Sequence, residues 1–195
     1  MSKPLEGIRV VEVAMWAFVP SAGGILADWG AEVIKIEAPA GDPIRGLVSG
    51  GVGKTDGITY TWEIFNRGKR AIALDLKEPK AQEIVYELAA TADVFLTSLL
   101  PRARTKLNID HDAILAANPQ IIYAVGSGQG ARGPEADKGG YDSISFWSRG
   151  SVSASVTPTG QPPIGMPAGA FGDSLSGMGL AGGIAAALAH KAKTG

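Results

Sequence analysis

Residues 8–37 read IRVVEVAMWAFVPSAGGILADWGAEVIKIE. Residues 8–13 are a continuous β-prone run, Pro20 opens a segment in which Ala22, Leu26 and Trp29 share one helical face, and residues 33–37 form a second short strand. Strand, helix and strand within about 30 residues make a βαβ unit, so the two strands are expected to be parallel and the crossover right-handed. The alternation continues downstream. Residues 71–74 read as a third strand, and Pro79 starts a helix with Ala81, Ile84, Val85 and Leu88 facing inward. Residues 94–97 are a fourth strand. Asp110 caps a helix that reaches about Ala117 and is stopped by Asn118-Pro119, and residues 121–125 are a fifth strand. Residues 141–150 read as a helix carrying Ile144, Phe146 and Trp147, and residues 151–163, with little periodicity, as a loop. Five β/α units without internal repeat or linker-like break predict an α/β fold, one open and mainly parallel sheet with helices on both faces.

Composition narrows the function. A chain of 195 residues fits one domain, which can remove roughly 70% of its unfolded surface from water. Apolar residues are 45%, charged residues 19% and the net charge is −1, which argues against a nucleic-acid surface, where a basic excess is expected. Any anionic ligand must therefore be met by a few placed groups. The absence of Cys excludes disulfides, thiolate metal sites and cysteine nucleophiles, and fits a reducing compartment. The first residues lack the apolar core of a signal peptide, and the longest apolar run is shorter than the roughly 18 residues of a membrane span. A soluble cytoplasmic protein is expected, with neither nucleic acid nor membrane as partner.

Two glycine motifs invite nucleotide readings that fail on context. Residues 50–55, GGVGKT, lie in a long polar loop, but the phosphate-loop pattern needs Gly where Val48 stands, with a strand before it and a helix after it. Gly128, Gly130 and Gly133 satisfy G-x-G-x-x-G after the fifth strand, yet Pro134-Glu135-Ala136-Asp137 follows instead of a helix, so a hinge or lid is the better reading. Two cationic clusters, Arg67-Gly68-Lys69-Arg70 and the group Arg102, Arg104 and Lys106, are either solvated turns or phosphate contacts beside strand ends. His111 and His190 stand near a helix start and a helix end, and neither has a triad or metal-ligand pattern around it.

The remaining stretch is residues 164–191, IGMPAGAFGDSLSGMGLAGGIAAALAHK. Leu175, Met178, Ala181, Ile184, Ala185 and Leu188 recur at helical spacing, which predicts a helix from about 174 to 191 with Asp173 as its cap. No other charged residue lies near Asp173 in this stretch until Lys191. A carboxylate at that position either satisfies backbone N–H groups or, beside Gly169 and Gly172, is open to a ligand as a nucleophile.

Taken together, several blocks in fixed order resemble one family. They are PLEGIRVVEV, LADWGAEVIKIEAPAGDPIRG, NRGKRAIALDLK, TADVF, NPQIIYAVGSGQG, GGYD and AFGDSLSGMGLAGGIAAAL, together spanning the chain. The resemblance is to the family III CoA-transferases of the CaiB/BaiF type, the group of formyl-CoA transferase, carnitine CoA-transferase and the related α-methylacyl-CoA racemase. It implies that residues 1–195 are a single CoA-binding domain, the N-terminal part of a Rossmann-like large domain, with the family's small domain absent. A fragment or one piece of a split protein is expected. It further implies Asp173 as the catalytic carboxylate, moving CoA between an acyl-CoA and a free acid through aspartyl anhydride and aspartyl-CoA thioester intermediates. Coenzyme A is then a substrate, with no permanently bound cofactor and no metal. CoA contacts are implied at Met15, Trp16 and Ala17, at Leu74 and Lys77, at Lys106 and Leu107, and at Tyr141, with Lys77, Lys106 and Arg70 as donors to phosphate. The family forms interlocked homodimers, so the partner is a second copy or a complementary C-terminal chain. Ser98-Leu99-Leu100-Pro101-Arg102 stands where many relatives carry Asn-Phe-Arg-Pro-Gly, and Ala38 where an Arg often follows. Tyr141-Asp142 stands where the racemase branch has His-Asp, which disfavours racemisation as the activity. Racemase or isomerase chemistry and a non-catalytic CoA-binding fragment are the alternatives.

Overall fold

The computed structural model of the chain describes residues 2–46 and 59–195. The GGVGKT stretch lies outside them. Five strands, β1 (Arg9–Val13), β2 (Glu32–Glu37), β3 (Arg70–Ala73), β4 (Val94–Thr97) and β5 (Ile122–Val125), form one sheet in the order β3-β2-β1-β4-β5. Every pairing is parallel, with Val10 opposite both Val33 and Val94. Helical crossovers cover both faces of the central strands β1 and β4, while the edge strand β3 stays exposed. Alternation along β1 accordingly sends Val10 to one core and Val11 and Val13 to the other.

On the first face lie α1 (Phe18–Asp28) and the 24-residue α7 (Phe171–Thr194). Leu26 of α1 and Ala181, Ile184 and Leu188 of α7 share a buried cluster with Val33 and Leu96. On the second face, α3 (Pro79–Ala90) and α5 (His111–Ala117) bury Val85, Ala89 and Ile114 against Val11, Ile36 and Phe95. Each of the Val, Leu, Ile and Phe side chains among them contributes roughly 1.5–3 kcal/mol by leaving water. The shorter α2 (Tyr60–Asn66), α4 (Pro101–Lys106) and α6 (Val152–Val156) complete the α-helices among the described residues.

Local chemistry explains several boundaries. The Asp110 side chain accepts from the Ala113 N–H at 3.1 Å, as expected of a cap. Helix α1 begins at Phe18, ahead of Pro20, because a helix's first-turn N–H groups have no intrahelical acceptor and a proline there costs no bond. Trp29 falls just past the end of α1 and does not extend its buried face. Residues 143–149 form the helix expected there, wound as a π-helix, whereas residues 151–163, read as a loop, contain the short α6. The buried stripe of α7 is Gly177, Ala181, Ile184 and Leu188, while Leu175 and Met178 are exposed. The stripe shifts because α7 packs on α1 through Gly177, where a Cβ would come within 2.7 Å of Ser21.

Candidate active site

The strand order sets where a ligand can sit. Going from β1, the chain adds β2 and β3 on one side and β4 and β5 on the other, so the connections leaving β1 and β4 diverge at the C-terminal edge of the sheet. Ligands of open α/β sheets bind in the crevice that this reversal opens. A cavity of about 800 Å³ lies there, lined by Met15 and Trp16 after β1, residues 98–100 after β4, residues 126–128 after β5, Tyr141 and Asp142, and Gly172, Asp173 and Ser176 of α7.

Asp173 is on the wall of this cavity but is not the cap of α7. It is the third residue of a helix that starts at Phe171 after Ala170 in a left-handed conformation (φ 61°). The carboxylate at the head of α7 is that of Asp142, whose two oxygens accept from the Gly172 N–H at 3.1 and 3.0 Å. The contact is close enough to require glycine at 172, since a Cβ there would lie 2.2 Å from the Phe146 ring and 2.3 Å from Asp142 Oδ1. With Asp142 serving the backbone, the Asp173 carboxylate is left facing the cavity. Burial first, and the Asp142 charge second, push its pKa up from 3.8 to about 6. At pH 7 it is still roughly nine-tenths ionised, a carboxylate both charged and poorly hydrated. The combination suits nucleophilic attack, because hydration and charge neutralisation are what ordinarily blunt a carboxylate.

Replacing Asp142 tests this division of labour. Asp142→Ala is expected to cost roughly 1–2 kcal/mol of stability by orphaning the Gly172 N–H, and to lower the Asp173 pKa because one of its two causes is gone. A carboxyl ¹³C titration of Asp173 that still centres on about 6 in the variant would refute the electrostatic link.

Aromatic side chains frame the site. Trp16 and Tyr141 meet edge to face at 5.9 Å across the cavity wall. Phe171 packs edge-on against Phe146 and Trp147, and the Trp147 indole N–H donates to the Ile164 carbonyl at 2.8 Å, tying the approach to α7 to the π-helical segment.

Of the residues singled out in the sequence, Met15, Trp16, Tyr141 and Asp173 come together at the cavity. Ala17, Leu74, Lys77, Lys106 and Leu107 are not among its lining residues. Ala17 is buried with Ile44 and Phe65, Leu74 and Leu107 pack on the α3/α5 face, and Lys106 ends α4. The basic turn before β3 is divided, its two arginines at the surface and its lysine buried. Arg67 pairs with Asp28 (2.9 Å), Arg70 with Glu32 (2.7 Å), and Lys69 turns inward to Glu12 (2.8 Å). The turn also precedes its strand, at the sheet edge opposite the cavity. No helix follows Gly128, Gly130 and Gly133, so the dinucleotide fingerprint is not formed, although the run begins in the cavity wall. Sequence reasoning missed the part of Asp142, which its place directly after Tyr141 could have flagged, and the wall contributed by Leu99, Leu100 and Phe146. Among the described residues no group of three or more His, Asp or Glu side chains is gathered for a metal ion, and no helix is long and apolar enough to cross a membrane.

The model of the family "CoA-transferase family III" matches residues 5–195. The cinnamoyl-CoA:phenyllactate CoA-transferase of Clostridium sporogenes is 40% identical over 97% of this chain and 46% of its own length. The (R)-2-hydroxy-4-methylpentanoate CoA-transferase of Clostridioides difficile is 40% identical over 98% of this chain and 48% of its own length. The crystal structure of a CaiB/BaiF family protein from Brucella suis superimposes with a TM-score of 0.89 at 32% identity, covering 100% of this chain and 51% of that one. The chain thus spans about half the length of the relatives it matches.

Proposed function

The chain belongs to CoA-transferase family III, and from that premise we propose that residues 1–195 form a single α/β CoA-binding domain carrying the nucleophile of a CoA-transferase. The observation that carries this reading is the Asp173 carboxylate, raised to about 6 and facing the cavity at the strand reversal.

The proposed chemistry is covalent and balanced at each step. Asp173 attacks the thioester carbonyl of the donor acyl-CoA, forming a mixed anhydride and releasing CoA thiolate. The thiolate attacks the aspartyl carbonyl, giving an aspartyl-CoA thioester and freeing the donor acid. The acceptor carboxylate attacks that thioester, regenerating thiolate and a second anhydride. Thiolate then attacks the acceptor's acyl carbon, completing acceptor acyl-CoA and restoring Asp173. No cofactor takes part, and CoA enters and leaves as substrate.

Met15, Trp16 and Tyr141 are proposed to flank the pantetheine arm. Ala17, Leu74 and Leu107 would act from behind that wall, and Lys77 and Lys106 as charge-assisted donors to the nucleotide phosphates beyond the cavity. The wall contributed by Leu99, Leu100, Ile144 and Phe146 supports an acyl group with an apolar side as cargo. The two clostridial relatives are named for acids with an aryl or a branched alkyl group, and the Agrobacterium fabrum relative, 39% identical, for succinate and glutarate. The exposed Phe171, Leu175 and Met178 support cover by further polypeptide, from a second copy in a homodimer or from a complementary C-terminal chain. A tyrosine at 141 in place of an imidazole favours transfer over proton abstraction at the α-carbon.

Mixing the protein with an aryl- or branched-acyl-CoA and a ¹³C-labelled hydroxy acid tests the reading. Labelled acyl-CoA is expected. Exchange of the donor's α-proton with solvent deuterium, without transfer, would favour the racemase alternative, and CoA binding with neither outcome a non-catalytic module. The pH profile follows from Asp173. Because the ionised form attacks, kcat/KM should fall tenfold per pH unit below about 6 and level off above 7. A profile that stays flat down to pH 5 would remove Asp173 as the titrating nucleophile.

A further inference from the structure

Four charged side chains are buried together beneath the turn that joins β1 to α1. Glu12 and Lys35 are opposite one another in β1 and β2, and their side chains are 0% exposed, while those of Asp42 and Lys69 are 1% exposed. Lys69 Nζ donates to both Glu12 oxygens (2.9 and 2.8 Å), to the Pro20 carbonyl (2.8 Å) and to Asn66 Oδ1 (3.0 Å). Lys35 Nζ donates to Glu12 Oε1 (3.2 Å) and to the Ala14 carbonyl (2.9 Å), and lies 3.0 Å from Asp42 Oδ2 as an ion pair without hydrogen-bond alignment. Asp42 Oδ1 accepts from the Trp16 and Ile44 N–H groups, each at 3.1 Å.

Desolvating four charges is costly, and apolar side chains of similar size would fill the same space more cheaply. The network differs from a filler in where it ends. It holds the β1–α1 turn at two backbone points, the Ala14 carbonyl through Lys35 and the Trp16 N–H through Asp42. Between them Trp16 has φ 67°, a left-handed conformation that a tryptophan keeps only when its surroundings over-determine it. That backbone sets the indole in the cavity wall, edge to face with Tyr141. Asp42 is itself fixed, its N–H donating to Glu37 Oε2 at 3.0 Å while Arg45 makes two 2.9 Å bonds to the same carboxylate.

We propose that Asp42, anchored by Lys35, is a positioning residue that locks the Trp16 turn and so shapes the mouth of the CoA site. The affinity part of this inference rests on the CoA reading above; the backbone part does not. Protein labelled with ¹⁵N-tryptophan has four Trp backbone amides, and Trp16→Phe identifies the one at 16. In the wild type the Trp16 amide should be protected from solvent exchange. In Asp42→Ala it should exchange at least about tenfold faster while the other three hold, with CoA affinity falling about tenfold, as loss of one charge-assisted bond predicts. Asp42→Asn keeps an oxygen for the Trp16 N–H but turns its amide NH2 toward the Lys35 ammonium, so both readouts should fall between those of Asp42→Ala and the wild type. A folded Asp42→Ala protein with an unchanged Trp16 amide overturns the proposal. If Asp42→Ala does not fold, a Trp16 amide protected in the wild type and faster to exchange in Asp42→Asn supports it, and an amide equally protected in the two, or unprotected in the wild type, overturns it. Wild-type protein that binds no CoA sinks the CoA site instead, and the amide result then decides the backbone claim alone.

Discussion

Asp173→Asn is expected to lower CoA transfer by about 10⁴-fold or more while making the protein more stable, not less. The loss follows from removing the nucleophilic carboxylate oxygen that takes the acyl group in the proposed cycle, without which the thioester at the Asp173 carboxyl carbon never forms. The gain follows from linkage. Asp173 has a folded-state pKa near 6 against an unfolded value of 3.8, so folding favours its protonated form. The associated stability is fully present below the unfolded value and is lost as pH rises through about 6. A shift of this size corresponds to at most about 3 kcal/mol, and partial contact with solvent reduces it to about 1–2 kcal/mol. A neutral amide avoids that cost, so at pH 7.5 the variant should melt about 2–6 °C higher than wild type, and the difference should vanish near pH 4. Asp173→Ala should show the same loss of activity. An Asn variant that is inactive and destabilised at every pH would mean that the side chain is structural, as a cap would be.

The second large effect is expected at Lys69. Lys69→Met should cost about 3–5 kcal/mol, because it leaves Glu12 buried beside a single remaining ammonium. Burial already pulls the Lys69 ammonium down to about 8, with the Glu12 charge opposing the shift, so this is a desolvated ion held by its partners. The packing leaves little room for rearrangement. A Cβ on Gly23 of α1 would lie 1.9 Å from Glu12 Oε2 and 3.0 Å from the Lys69 side chain. Arg70→Met, one residue on, should change stability by less than about 0.5 kcal/mol, since the Arg70 side chain is 75% exposed in its pair with Glu32. Denaturant melts of the two variants side by side provide the check, and equal midpoints would contradict the burial argument.

The same turn shows what a linear reading can and cannot deliver. Arg67, Lys69 and Arg70 are alike in composition, and nothing local says that one of them faces Glu12, 57 residues earlier, while the others stay at the surface. Where the cause is local, sequence and structure agree closely. The strand at residues 94–97, the Asp110 cap and the start of α3 at Pro79 all follow from side-chain shape and backbone chemistry within a few residues. The parallel sheet was legible from the βαβ spacing, but the reversal between β1 and β4 that opens the cavity depends on which edge each later strand joins. At Asp173 the residue and the helix were legible and its job there was not. Aspartate suits both the cap and the first turn, and the choice is made by Asp142, which reaches the Gly172 N–H across 30 positions of sequence. The outward turn of Leu175 and Met178 has the same origin, because periodicity identifies an apolar face without saying whether this chain or another polypeptide covers it.

The most direct test is intact mass spectrometry of the protein incubated with an apolar acyl-CoA, followed by peptide mapping. A CoA thioester or acyl adduct on the peptide containing Asp173, discharged by free acid and missing from Asp173→Ala, is the predicted result. Protein that binds CoA but forms no adduct with any donor, or forms one on a different residue, would contradict the assignment of Asp173 as the nucleophile.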